Sequence, residues 1–271
     1  MKEIIYKTKL FSNRFTNHFR ALPNFLIVGV ARGRTTSLFN YLIQHPLINP
    51  PLWKEPGYFG NNFNKGIQWY KSFFPLRKKG YLTGEASPIY LHHPLAPKRI
   101  FEIIPEVKII ALLRNPIDRT FSHYWQSVRK KRERSLTFEE AVQKQMTEKP
   151  LSDHEAFCSE IFHKENDRVL NQYVSSSIYL ERIKRFFKIF PRENILILAS
   201  EDLYNKPQTV CDNLAEFLNI PKWKLKNFKK YNFHSEQPQM NNQIRKKLAE
   251  YFKPHNEKLY NYLNRDFGWD E

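Results

Sequence analysis

The sequence predicts a three-layer α/β domain, a central parallel sheet flanked by helices, and three features predict it. The apolar runs Phe25-Leu26-Ile27-Val28, Val107-Lys108-Ile109-Ile110-Ala111-Leu112-Leu113 and Ile195-Leu196-Ile197-Leu198 are nearly continuous, as in strands buried on both faces. Each run gives way to helical spacing, the alternation that builds a doubly covered parallel sheet. A chain of 271 residues is long enough to bury a full core. The expected organisation is an N-terminal arm over 1–23 and one domain over 24–271.

The arm carries scattered apolar positions without a sustained period, which reads as a loose attachment with room for a helical turn. The first strand then empties into Gly29-Val30-Ala31-Arg32-Gly33-Arg34-Thr35-Thr36-Ser37, after which Leu38, Tyr41 and Leu42 set a helical stripe. His45-Pro46 ends that helix. From Asn49 to Phe59 the chain is broken by Pro50, Pro51 and Pro56, is dense in aromatics and carries one carboxylate, Glu55, which is loop chemistry beside a site. Gly66 to Phe74 has helical spacing, and Tyr81 to Pro88 reads as a short strand leaving through a turn. The strand ending at Leu113 runs straight into Arg114-Asn115-Pro116, and Asp118 to Val128 is helical with Phe121, Tyr124 and Trp125 on one face.

From about 129 to 173 the chain turns basic and polar, and Thr137-Phe138-Glu139-Glu140 is a capping-box pattern, so a basic, largely helical insertion is expected there. Ile178 to Phe190 reads as an amphipathic helix, and Gln208 to Leu218 as another behind the strand at Ile195. Pro221 to Met240 is Lys-rich and irregular, and Gln243 to Leu263 closes the chain as a helix kinked or interrupted at Pro254.

Forty-four Lys plus Arg against 27 Asp plus Glu leave a formal charge of +17, so the surface field attracts anions such as nucleotides, acidic glycans, nucleic acid or anionic lipid. Cys158 and Cys211 have neither metal spacing nor disulfide density, which favours a reducing compartment. No apolar run approaches the roughly 18 residues of a membrane span, and the N-terminus lacks a signal-peptide core. A soluble, cytoplasmic chain is expected.

The stretch from Phe25 to Leu38 has a P-loop-like form of strand, anion-binding turn and helix. A helix N-terminus offers unpaired N–H groups and a positive dipole end to a phosphate, and Thr35, Thr36 and Ser37 can cap the helix or donate hydroxyl bonds. An ordinary strand-to-helix turn uses the same residue types. A Walker A loop would place its second glycine at Arg34 and its lysine at Thr35, so the ATPase form is broken twice. A magnesium site would add an aspartate at another strand end, where this chain has Arg114, a cation that calls for an anion. Glu201-Asp202 fits a helix start better than a metal pair, and no metal is expected.

The ordered set of the Gly29 to Leu38 loop, Lys54-Glu55-Pro56-Gly57-Tyr58-Phe59, Gly66-Ile67-Gln68-Trp69-Tyr70, Gly84-Glu85-Ala86-Ser87-Pro88 and Leu113-Arg114-Asn115-Pro116 leading to Ser122-His123-Tyr124 resembles one family. It is similar to sulfotransferases that use 3′-phosphoadenosine 5′-phosphosulfate (PAPS), in particular the heparan-sulfate-type and bacterial, cyanobacterial-looking branch. The resemblance implies that Arg32, Gly33, Arg34, Thr35, Thr36 and Ser37 hold the 5′-phosphosulfate, that Arg114 and Ser122 hold the 3′-phosphate, and that Lys229 and Lys230 lie in a basic loop over the nucleotide. It makes Glu55 the catalytic base, with Arg32 stabilising the leaving phosphate. Glu85 is the second candidate base, a loop anchor or an acceptor contact. Trp53, with Tyr58, Trp69 and Tyr90, suits a glycan by stacking, the alternative for these aromatics being the core.

The chain departs from the family pattern at Arg32, where a lysine is usual, at Arg34, where a glycine is usual, at Gly57, where a histidine is common, and at Gln126, where some relatives place a catalytic histidine. If position 34 needs a positive φ, arginine there costs on the order of 1–2 kcal/mol; alternatively its guanidinium adds a contact to donor or acceptor. Sulfuryl transfer to a hydroxyl or amine, with a carbohydrate acceptor, is the leading expectation. A basic nucleotide- or polyanion-binding protein with impaired turnover and a kinase-like phosphotransferase are the alternatives. The implied partners are the nucleotide donor and a glycan, without nucleic acid or a membrane span.

Overall fold

The computed structural model describes residues 2–133, 135–147, 172–228 and 238–269, with the backbone alone over 2–7. Four strands, β1 (Phe25–Gly29), β2 (Gly84–Ala86), β3 (Lys108–Leu113) and β4 (Ile195–Ala199), form one parallel sheet in the order β2-β1-β3-β4. Phe25 lies opposite both Gly84 and Lys108, and every residue of β1 is buried. This is the burial that a continuous apolar run requires.

The described helices are α1 (Lys2–Arg14), α2 (Thr35–Leu42), α3 (Gly66–Lys71), α4 (Ile89–His92), α5 (Ala96–Ile103), α6 (Pro116–Arg129), α7 (Phe138–Thr147), α8 (Leu180–Phe187), α9 (Ser200–Asn205), α10 (Pro207–Phe217) and α11 (Asn242–Leu263). The expected α/β class, a parallel sheet with flanking helices, is the observed one. The chain forms two compact units, one from Met1–Leu91, Leu95–Leu113 and Phe186–Asn232, the other from His92–Pro94, Arg114–Arg185 and Phe233–Glu271.

The first unit holds the sheet. Phe25, Ile27, Ile110, Leu112 and Leu198 pack with Leu38 and Leu42 of α2 and Val210, Cys211 and Leu214 of α10. Burial pushes the Cys211 thiol up to about 12, so it serves as a small apolar side chain. In the second unit Ile117 and Tyr124 of α6 pack with Phe138 and Val142 of α7 and Leu248 and Phe252 of α11. Asn115 caps α6 by accepting from the Ile117 N–H at 2.9 Å, with Pro116 as the first helical residue.

One expectation is corrected and one narrowed. The N-terminal arm is not loose: α1 runs for 13 residues, and Asn13 donates from Nδ2 to the Ser72 carbonyl at 2.8 Å. Arg20 donates from Nη1 to the Phe74 carbonyl and from Nη2 to Asn13 Oδ1, both at 2.6 Å. These anchors are polar, so apolar periodicity carries no trace of them. Of the two outcomes expected at Pro254, the interruption does not occur: the closing helix continues through it, with Phe252, Asn256, Leu259 and Leu263 buried around it. That burial outweighs the roughly 3 kcal/mol that an interior proline costs. The insertion is described through α7 only; 148–171, with Cys158, lies outside the described residues.

Candidate active site

The turn after β1 is built by backbone conformation. The Val30 N–H donates to the Leu112 carbonyl and the Gly33 N–H to the Val30 carbonyl, both at 2.9 Å, which folds the turn back over the end of β3. A Cβ on Gly33 would stand 2.6 Å from the Leu112 carbonyl oxygen and 2.7 Å from Val30 Cγ2, so only glycine fits. The two flanking arginines take the left-handed region, Arg32 at φ 69° and Arg34 at φ 67°. Position 34 therefore does demand a positive φ, at a cost on the order of 1–2 kcal/mol.

Arg34 is itself the N-cap of α2, and its side chain makes no capping bond. Its carbonyl accepts from the Ser37 and Leu38 N–H groups at 3.0 and 3.2 Å. Thr35 and Ser37 are buried and Thr36 is half-buried. The first amides of α2 and its dipole end are thus presented beyond the C-terminal end of β1. The Arg34 guanidinium stands 4.7 Å from the centroid of the Tyr204 ring, a cation–π contact with α9. Tyr204 is absent from the sequence-level candidates, and its place on the first helix after β4 is the signal that could have found it. Glu201 and Asp202 lie in the first turn of that helix, as expected of residues favoured by its dipole.

The second feature is the segment carrying Glu55. Its carboxylate is half exposed and pairs with its neighbour Lys54. The segment is fastened from both sides. The Leu52 N–H donates to the Phe73 carbonyl at 2.6 Å, the Ala86 N–H to the Lys54 carbonyl at 2.9 Å and the Gly57 N–H to Ser87 Oγ at 3.0 Å. Gly57 has φ +64°, a conformation that glycine adopts without strain. Trp53 is 53 % exposed, whereas Tyr58 and Tyr90 are core residues; Tyr58 stacks on Tyr70 with centroids 4.5 Å apart.

Glu85 lies below that segment and is fully buried, so it presents no surface to an acceptor. Of the roles expected of it, anchoring fits this position. The Tyr70 and Tyr90 hydroxyls both donate to Oε1, while Oε2 is buried without a hydrogen-bond partner. Burial pushes its carboxyl up to about 7, against the opposing pull of the Ser87, Tyr90 and Tyr70 hydroxyls; the Glu55 charge adds a smaller push. Tyr90 also accepts from the Phe59 N–H at 3.4 Å, so the buried carboxyl, the tyrosines and the Glu55 segment form one support.

Arg114 directly follows β3, and its carbonyl accepts from the Tyr179 hydroxyl at 2.7 Å. Ser122 is buried on α6, and Gln126 is half-buried on the same helix. Lys229 and Lys230 lie outside the described residues. The stretch before them is held to α2: Gln44 Oε1 accepts from the Lys226 and Asn227 N–H groups at 3.1 and 3.2 Å.

A family model described as "Sulfotransferase domain" matches residues 22–265. The membrane-associated sulfotransferase kil1 of Dictyostelium discoideum is 30 % identical over 92 % of this chain and 66 % of its own length. Human heparan sulfate glucosamine 3-O-sulfotransferase 3B1 is 27 % identical over 93 % of this chain and 66 % of its own length. The chain thus spans just under two thirds of these curated relatives. The crystal structure of a sulfotransferase from Alicyclobacillus acidocaldarius covers 93 % of this chain and 100 % of its own, with a TM-score of 0.76 and 28 % identity. A likeness that runs through both the amide-rich turn and the sheet behind it has one reading: the chain belongs to the sulfotransferase domain family.

Proposed function

We propose that the protein transfers a sulfuryl group from PAPS to a hydroxyl or amine of a carbohydrate acceptor. The observation that carries the reading is the turn into α2, built on a glycine that tolerates no Cβ between two left-handed arginines, with an N-cap residue whose side chain leaves the helix start to other partners. That cradle fits an anion bound by backbone amides. The donor supplies an activated sulfuryl group on a phosphate leaving group. Amides from Gly33 to Ser37, with the Thr35, Thr36 and Ser37 hydroxyls, would hold its 5′ end; Arg114 and Ser122 would take the 3′-phosphate, and Lys229 and Lys230 would cover the nucleotide. Arg32 offsets charge at the leaving phosphate, permanently protonated as an arginine is. Arg34 contributes its backbone to the cradle while its side chain rests on Tyr204.

Glu55 takes the proton that the acceptor loses, a role suited to a half-exposed carboxylate on a fastened segment. Glu85 is a positioning residue below it. Trp53 offers an exposed ring to a sugar face. A carbohydrate acceptor is supported by the +17 charge and by the heparan sulfate acceptor in the name of the human relative. A cytoplasmic setting is supported by the sparse cysteines; among the described residues no helix is long and apolar enough to cross a membrane.

Calorimetric titration tests the donor reading. Tight binding of 3′-phosphoadenosine 5′-phosphate, with none of ATP plus magnesium, is expected; failure to bind the first overturns it. A labelled-donor assay across carbohydrate, lipid and phenolic acceptors tests the acceptor class, and turnover on phenols alone would remove the carbohydrate.

A further inference from the structure

Around the end of α1 lie the most exposed large apolar side chains among the described residues. Phe11, Phe15 and Phe19, four residues apart, are 61 %, 78 % and 72 % exposed, and Phe11 meets Phe15 edge-on at 5.6 Å. Leu76, also exposed, lies alongside, because Arg20 and Leu76 form an antiparallel bridge and the Arg77 N–H donates to the Phe19 carbonyl at 2.9 Å. The backbone beneath is held in place. Besides the Asn13 and Arg20 bonds, Arg77 donates from Nη2 to the His18 carbonyl at 3.0 Å, and α3 packs against α1 and the Asn17–Phe19 turn.

The surroundings are cationic. Lys9, Arg14, Arg77, Lys78 and Lys79 are all exposed here, and the sequence has no Asp or Glu between Glu3 and Glu55 or between Glu55 and Glu85. Lys78 keeps its ammonium 3.8 Å above the Tyr81 ring.

We propose that this face docks the protein on an anionic bilayer surface, with the three phenylalanines entering the headgroup boundary and the lysines and arginines facing lipid phosphates and carboxylates. A soluble polyanion would use the cations and leave the phenyl rings in water. A second copy would bury the rings but set like charges against each other. An anionic bilayer accepts both chemistries at once. No spanning helix is needed, and none of these residues belongs to the donor or acceptor machinery.

The test is co-sedimentation of the full chain with vesicles of phosphatidylcholine alone and of phosphatidylcholine with about one third phosphatidylserine, at low and high salt. Binding to the anionic vesicles at least about tenfold above the neutral ones is expected, and it weakens with salt. The triple variant Phe11→Ser, Phe15→Ser, Phe19→Ser should lose about tenfold or more. Lys78→Glu with Lys79→Glu should lose about 30-fold. Both variants should melt as the parent does and keep its affinity for 3′-phosphoadenosine 5′-phosphate, which separates this proposal from the enzymatic one. Equal binding to both vesicle types overturns it, as does wild-type binding by the triple variant. So does analytical ultracentrifugation showing a dimer that the phenylalanine substitutions dissolve.

Discussion

The turn after β1 and the segment carrying Glu55, which lies between α2 and α3, are held by different means. The turn is a backbone object: two left-handed arginines around a glycine, closed by main-chain bonds to Val30 and Leu112. The Glu55 segment adds side-chain props to its two main-chain bonds, resting on Ser87, Tyr90 and a buried Glu85. The first is sensitive to a single methyl group and the second to protonation. An anion cradle needs amides that already point one way, whereas a general base needs a carboxylate whose support stays still as it gains and loses a proton.

Four substitutions probe that contrast, from the largest effect down. Glu55→Gln should lower kcat by about 10²- to 10⁴-fold while leaving donor affinity intact; an unchanged kcat in the labelled-donor assay would move the base elsewhere. Glu85→Gln tests the support through pH. The folded protein holds the Glu85 proton up to about pH 7, against an ordinary value of 4.5, so it binds that proton more tightly than the unfolded chain does. Stability should therefore fall as pH rises from 4.5 through 7, by on the order of 3 kcal/mol. Glutamine still accepts from the tyrosines and does not titrate, so urea denaturation of the variant should show a flattened slope between pH 5 and pH 8. A slope equal to the parent's would place the titrating group elsewhere.

Gly33→Ala should weaken 3′-phosphoadenosine 5′-phosphate binding by about 100-fold, since the new methyl group displaces the cradle by the order of 1 Å; calorimetry measures it. Arg34→Gly should do least. It relieves roughly 1–2 kcal/mol of left-handed strain and forfeits roughly 0.5–1 kcal/mol of cation–π contact with Tyr204, so stability should move by no more than about 1 kcal/mol. Donor affinity should stay within about threefold, the side chain being spent on Tyr204. A tenfold loss by calorimetry would make that guanidinium a donor ligand.

What could be read without coordinates follows from the same division. Strand runs such as Phe25–Gly29 and Lys108–Leu113 are legible because burial on both faces leaves an uninterrupted apolar string. The turn is legible as an anion site through its glycines, hydroxyls and arginines. The side-chain direction of Arg34 is not, because Tyr204 lies 170 residues further along the chain. Glu85 looks like a second base in sequence, since a carboxylate between apolar neighbours carries no mark of the two tyrosines that enclose it. The N-terminal arm fails for a related reason: Asn13 and Arg20 fix it through carbonyls near residue 73, and its phenylalanines point outward, so no core stripe forms.

The strand order bears on how such a protein diversifies. From β1 the chain goes to β2 on one side of the sheet and then to β3 on the other, so the crossovers diverge at the β1–β3 seam, the switch point where open parallel sheets form a crevice. The amide cradle sits at that topological opening, fixed by the sheet itself. The segment bearing Trp53 and Glu55 lies between α2 and α3, apart from the turn, and is tied to β2 by the Ala86 N–H. On the proposed assignment, donor binding belongs to the turn and acceptor binding to the 49–59 segment, so exchanging that segment between relatives should change the acceptor and leave donor affinity as it was.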